Sequence, residues 1–426
     1  MGSECSDQLD PLEEVITILS IDGGGVKGII PSEVLGYLES ILQGLENDKD
    51  VRIADYFDFI AGTSTGGLIT AMLTAPNSEQ RPMFSAKEII GFYMDESKNI
   101  FPKESTDKNS HDKEAKTKFN LSHISDLIPD LTVAIRNFLE SLLSSYRSNN
   151  HVNILDSFAR NILSMKKIPE ACRRKFKDFI HPKYDGAKLH ETVKKRLEKE
   201  LVISKTVTNV IIPTFDIKSC RPTVFSTLKA KRDVSMNPPL SDVCIATSAA
   251  PCYLPPYKFT TTKVFNLVDG GVAANNPSLL ALCEVIKERK VDYSKILLLS
   301  LGTGEQNGKD KLEVGDPSQW GILNWLWKND KWGHVKSYPL IDILMTSAAE
   351  MIEMYMSSIF QSRGLKENYI RIQADMSYID AALDDSDEQN LKCLMKIGQD
   401  LVEKNEDILT EFAKRLVDIR KARSSN

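Results

Sequence analysis

The chain has 426 residues, 42% of them apolar and 27% charged, with a formal net charge of −5. This composition suits a globular protein with a sizeable core and gives no basic field for nucleic acid. Seven cysteines are scattered without a CxxC pair or a Cys/His cluster, which argues against a disulfide framework and a zinc site.

The N-terminus reads MGSECSDQLDPLEEV. It is acidic and lacks the apolar core of a signal peptide, so residues 1–14 are expected to be a flexible lead-in and the protein cytoplasmic. It also fits M-G-x-x-x-[ST] through Gly2 and Ser6, with Cys5 alongside, leaving open an acylated anchor beside the plainer reading of an unstructured start. No segment reaches the roughly 18 continuous apolar residues of a membrane span.

Val15–Ile21 is a continuous, β-branched apolar run and predicts a strand buried on both faces. The glycine-rich DGGGVKG of Asp22–Gly28 comes next. A helix is then expected over Ile29–Leu45, with Pro31 in its first turn. A second buried strand, Tyr56–Ala61, runs into GTSTG and an apolar helix from Gly67. Two strand–loop–helix units within the first 75 or so residues predict an α/β sheet with right-handed crossovers. Later strands are expected at Asn209–Ile217, Lys263–Val268, Ile296–Leu301 and Tyr369–Ile372. Helices are expected at Ala187–Glu200, Pro277–Glu288, Leu340–Phe360 and Glu388–Lys421. Between Lys103 and Ile180 the strand pattern stops. A polar, charged stretch gives way to a helical face of Leu131, Ile135, Leu139 and Leu142, then to seven basic residues and one acidic residue over Arg160–Lys177. This predicts a helical insertion over about 103–180 within a single domain of residues 15–426.

In Gly62-Thr-Ser64-Thr-Gly66 the serine sits between strand and helix. Glycines two positions either side permit the sharp turn that lifts a hydroxyl above a sheet. The following helix N-terminus, where Thr65 stands, offers amides and a dipole to a developing oxyanion. Gly23, Gly25 and Gly28 also spell G-x-G-x-x-G. A dinucleotide site, however, needs an acidic residue closing the second strand, and here that strand closes in the serine turn. Gly23, Gly24 and Gly25 can instead present N–H groups beside Ser64, with the charge of Lys27 nearby; a plain tight turn is the simpler alternative.

A serine of this kind usually needs a histidine. Of the six, His111, His123, His151 and His181 lie in or beside the insertion, His190 opens a charged helix, and His334 is not in a strand-end loop. The other candidate base is Asp269, in VFNLVDGGV at the end of an apolar strand. It becomes effective if a dry site raises its pKa from about 3.9.

ILSIDGGGVKGIIP, ADYFDFIAGTSTGGLITAML, ATSAAPCYLPPY, FNLVDGGVAANNP, KILLLSLGTG and DDSDEQNLKCLMKIGQDLV together resemble the plant patatins and patatin-like lipid acyl hydrolases, in family order over nearly the whole chain. The resemblance implies an α/β three-layer sandwich with a mostly parallel central sheet flanked by helices. It also implies a Ser–Asp dyad matching Ser64 and Asp269, a glycine loop matching Gly23, Gly24 and Gly25, and a basic residue at Lys27. Family members often carry arginine there, and lysine loses the planar fork. The implied activity is hydrolysis of acyl esters in phospholipids, lysophospholipids and galactolipids, with no metal and no cofactor. An acyltransferase using the same dyad and a non-catalytic storage or interaction protein are the alternatives. The segment 103–180 looks longer than its family counterpart. Peripheral membrane contact is expected through the basic insertion or through the four tryptophans, Trp320, Trp325, Trp327 and Trp332. Neither oligomeric state nor head-group preference is legible.

Overall fold

The computed structural model describes residues 14–102, 181–198, 200–305, 335–376 and 382–424, together with residue 12 and part of 314–329. The chain forms two compact units, Met1–Lys103 with Asp185–Asn426, and Glu104–Tyr184. The first holds the central sheet. The expected insertion and its basic run, the acylation motif at Gly2 and Cys5, His111, His123, His151, His334, Trp327 and Trp332 lie outside the described residues.

Eight strands form one sheet: β1 (Ile16–Ile21), β2 (Phe59–Gly62), β3 (Asn209–Asp216), β4 (Arg221–Ser226), β5 (Tyr257–Thr260), β6 (Val264–Asp269), β7 (Ile296–Leu301) and β8 (Tyr369–Ile372). Their order is β8-β7-β1-β2-β3-β6-β5, with β4 also paired to β3. The five strands from β8 to β3 run parallel, whereas β4 and β6 are antiparallel to β3. The central parallel strands β1 and β7 are the long apolar runs of the sequence, as expected of a sheet covered on both faces.

On one face Ile18, Phe59, Ile211, Ile296 and Leu298 pack with Ala281, Leu282 and Val285 of a helix at Ser278–Arg289 and with Met356 and Phe360 of a long helix at Pro339–Ser362. Strand alternation sends Leu19, Ile21 and Ile60 to the opposite face. Helix α1 (Ile29–Glu46) packs against α2 (Ala86–Ile100) and against two C-terminal helices, Glu388–Lys404 and Glu406–Ser424. The helix Thr65–Thr74, which leads away from GTSTG, is buried on every side, so its sequence is apolar all round.

Several boundaries differ from expectation. Tyr56–Asp58 is a turn rather than strand, because Asp58 Oδ2 accepts the N–H and hydroxyl of Thr17 and the Asp58 N–H returns to Thr17 Oγ1. The helix expected at Ala187–Glu200 ends at Arg196. The C-terminal helix is two helices, broken at Asn405, whose carbonyl accepts the Leu409 N–H and starts the second. Among the described residues no helix is long and apolar enough to cross a membrane.

Candidate active site

The sheet itself brings Ser64 and Asp269 together. β2 pairs with β3 from Phe59↔Asn209 to Ala61↔Ile211 and then ends. β4 occupies the other edge of β3 over Ile211–Asp216, so β6, which pairs at Thr214–Asp216, must take the edge that β2 has left. It arrives antiparallel, with Asp269 opposite Thr214. Continuing the β2 register by three residues puts Ser64 at the level of Thr214. The end of one strand therefore faces the serine turn at the end of another.

Ser64 adopts φ 54°, ψ −120°, a strained backbone that points its side chain off the sheet. The flanking glycines are sterically required. A Cβ on Gly62 would lie 2.1 Å from Gly66 O, and one on Gly66 would lie 2.2 Å from Ile21 O. The Ser64 hydroxyl donates to Asp269 Oδ2 at 2.6 Å, and the Gly271 N–H donates to Asp269 Oδ1 at 2.7 Å. Asp269 is fully buried. Burial pushes its carboxyl up to about 7, against the lowering effect of the two hydrogen bonds. Among the described residues no imidazole bonds to Ser64: His181 is exposed, and His190 packs edge-on against Tyr257 at 5.1 Å.

The glycine loop lies over this pair. A Cβ on Gly23 would come within 3.3 Å of Ser64 Cβ. Yet the Gly23 N–H donates to Asn275 O at 3.0 Å, which narrows the expectation that all three loop glycines offer amides. Among the described residues no acceptor takes the N–H of Gly24, Gly25 or Thr65. Gly25, at φ 61°, has no room for a side chain, because a Cβ there would lie 2.0 Å from Leu383 O. Lys27 sits half-exposed on the short helical turn Gly25–Gly28, its N–H directed to Gly24 O.

Several supporting residues carry no mark in the sequence. Thr247 Oγ1 accepts the Ser64 N–H at 3.0 Å while donating to Pro213 O at 2.7 Å, which ties the serine turn to β3. The Thr303 hydroxyl donates to Gly23 O at 2.7 Å. Asp22, just before the loop, takes both terminal nitrogens of Arg371 at 3.0 and 2.7 Å, and Arg371 also donates to Ser300 Oγ. A lone arginine in the short strand YIRI is the available signal for a buried partner. Thr247 lies within ATSAAPCYLPPY, where nothing in the local pattern sets it apart.

Beside Ser64 lies a narrow cavity, partly open to solvent, lined by Gly25, Thr65, Leu68, Phe92, Ile100, Leu189, Tyr253, Leu254 and Leu383 among others. Its walls are overwhelmingly apolar and suit a hydrocarbon chain. Among the described residues no group of three or more His, Cys, Asp and Glu side chains is arranged to hold a metal.

A family model described as Patatin-like phospholipase matches residues 19–282. Patatin-like protein 2 of Arabidopsis thaliana is 39% identical over 408 residues, covering 92% of this chain and 83% of its own. Patatin-15 of Solanum tuberosum is 32% identical over 444 residues, covering 97% and 93%. Among solved structures, VipD from Legionella pneumophila aligns over 92% of this chain and 67% of its own, with 13% identity and a TM-score of 0.31.

Proposed function

This chain belongs to the patatin-like phospholipase family, which implies a lipid acyl hydrolase, and on that premise we propose that it cleaves fatty-acyl esters of membrane phospholipids, lysophospholipids and galactolipids at Ser64 with Asp269 as the base. One observation carries this reading: a serine hydroxyl, on a strained turn lining an apolar cavity, donates at 2.6 Å to a fully buried carboxylate.

The acyl chain occupies the cavity and presents its ester carbonyl to Ser64. Asp269 Oδ2 takes the hydroxyl proton as Oγ attacks the carbonyl carbon. The resulting oxyanion is held by the N–H groups of Gly24, Gly25 and Thr65, the last reinforced by the dipole of its helix. Collapse expels the alcohol half of the lipid, which takes the proton from Asp269, and leaves an acyl-serine. Asp269 then deprotonates a water. Attack by that hydroxide and a second collapse release the fatty acid and return the proton to Ser64. Because the base is a single buried carboxylate, its raised pKa supports the role: an aspartate near its usual pKa would be too weak. Gly271, bonded to the other carboxylate oxygen, keeps Oδ2 aimed at the serine.

The enzyme works at a membrane surface. The test is free fatty acid release from vesicles of phosphatidylcholine, lysophosphatidylcholine and monogalactosyldiacylglycerol by the wild type, Ser64→Ala and Asp269→Asn. Release by the wild type alone is expected. Equal release by Ser64→Ala overturns the assignment, and acyl transfer to added lysolipid in place of fatty acid release makes the protein an acyltransferase.

A further inference from the structure

The long helix at Pro339–Ser362 is apolar on both sides. Its inner side, including Met356 and Phe360, enters the core under the sheet. Its outer side carries Leu340, Leu344, Ser347, Met351, Tyr355 and Ser358. These positions are spaced three and four residues apart and form one stripe along the helix. The large apolar members, with the adjoining Met354, are between 38% and 52% exposed. A water-facing helix surface normally carries charge. Here Pro339–Ser362 contains no lysine or arginine, and its acidic residues are Asp342, Glu350 and Glu353. Asp342 and Glu353 are half-buried, and Glu353 bonds to Tyr369 and pairs with Arg371. Within this helix, every residue of which is described, Glu350 is the one exposed charge beside the stripe.

The helix also begins at the reaction site. Tyr338, its N-cap, packs edge-on against the cavity residue Tyr253 at 5.0 Å. The Met345 methyl lies so close to Gly271 that a Cβ there would be 2.5 Å from it, and Gly271 is bonded to Asp269. Against the helix packs the short helix Ile322–Leu326, which adds the exposed Trp325 and Leu326.

We propose that this outer face is the surface by which the protein rests on a lipid layer, with the helix lying in the plane of the layer and the cavity mouth turned toward it. This rests on the functional reading above. The choice of occupant comes from charge and position. A stripe without cations gives an anionic protein or a polyanion nothing to bind, whereas an apolar stripe with a tryptophan at its flank matches the boundary between head groups and acyl chains. A helix of 24 residues that cannot serve as a span, and that leads to a cavity fitted to hydrocarbon, places that boundary where the substrate must leave it. The contact is therefore apolar rather than electrostatic, and binding is indifferent to the charge of the lipid.

The test is co-sedimentation with phosphatidylcholine vesicles of Ser64→Ala protein, which keeps the surface but leaves the lipid intact. Leu344→Asp and Met351→Asp, added singly to it, are expected to lower the partition coefficient onto vesicles by about tenfold or more. Val234→Asp, at an exposed apolar position elsewhere, leaves it unchanged. With Ser64 intact, both aspartate variants are expected to hydrolyse a micromolar, monomeric p-nitrophenyl butyrate as the wild type does and to lose hydrolysis of vesicle lipid. Undiminished vesicle binding of both variants overturns the proposal. So does binding that requires anionic lipid and disappears in high salt, or a wild-type dimer that either aspartate disperses, which would make a second copy the occupant. Failure of the functional reading has a separate signature, absence of ester hydrolysis by the wild type in solution and on vesicles alike.

Discussion

Arg371 places both terminal guanidinium nitrogens on the carboxylate of Asp22, at 2.7 and 3.0 Å, and Asp22 is the residue from which the glycine loop departs. Asp22 comes directly after β1, Arg371 sits on β8, and β7 with Ser300 lies between them. The pair fixes the base of the loop against a strand two places away in the sheet, and the loop carries the Gly24 and Gly25 amides. Removing one partner strands a buried charge, which costs about 3–5 kcal/mol, whereas removing both costs less. Arg371→Met is expected to lower the urea midpoint more than the Asp22→Asn, Arg371→Met double variant does. In the single variant kcat should fall by more than the KM changes, because misplaced amides weaken only the transition state. Chemical denaturation and steady-state kinetics on a soluble ester check both statements.

Asp269 must be ionised to accept the proton of Ser64. With its pKa pushed up to about 7 by burial, activity should rise with pH along an acid limb centred near 7. Stability should move the opposite way. A carboxyl whose pKa is raised by folding binds more protons in the folded state, so its contribution is fully present below the unfolded value of about 4. That contribution is lost as pH rises through about 7. Asp269→Asn should therefore gain stability relative to the wild type as pH rises from about 4 to about 7, with little further change up to about pH 8. Melting temperatures and kcat/KM measured across that range check the two slopes together.

Thr247→Val keeps the shape of the side chain but leaves the Ser64 N–H without its acceptor. A buried donor left unsatisfied costs about 1–3 kcal/mol. Because the bond orients the serine turn, kcat is expected to fall about tenfold with KM little changed. Thr247→Ser, which keeps the hydroxyl, should recover most of the loss.

Gly25→Ala tests the loop directly. The residue holds φ 61°, and the new Cβ would meet Leu383 O at 2.0 Å, backbone that cannot step aside as a side chain tip could. Loss of one or two oxyanion donors costs about 10²-fold or more in rate. The variant is expected to lose at least that, and near wild-type kcat on a soluble ester would contradict the part given to this loop.

Much of this fold is legible in the sequence because parallel strands buried on both faces leave unbroken apolar runs. VITILSI and KILLLSL fall within a residue or so of β1 and β7. The strand β4, RPTVFS, escapes such a reading, since it is half-exposed at its start and carries a proline, and short antiparallel edges give weak patterns. Nor does the sequence reveal that β6 enters antiparallel on the edge abandoned by β2. That is a property of the pairing of three segments, and it alone explains why a residue 205 positions from Ser64 arrives at hydrogen-bond distance. The candidate residues Ser64 and Asp269 stand out because elbow and strand-end glycines mark them. Thr247, Thr303 and Arg371 act through one or two specific contacts, and such contacts leave no local signature. The commitment of the Gly23 amide to Asn275 is of the same kind.

In the proposed chemistry Ser64 is the nucleophile and Asp269, with no histidine, activates it. The most direct test is the rate of covalent labelling by a fluorophosphonate, followed by intact mass and located by peptide mapping, in the wild type and in Asp269→Asn. A single adduct is expected on the peptide containing Ser64, formed at least about 10²-fold more slowly in Asp269→Asn. Labelling of a different residue, or equal rates in the two proteins, would contradict this chemistry.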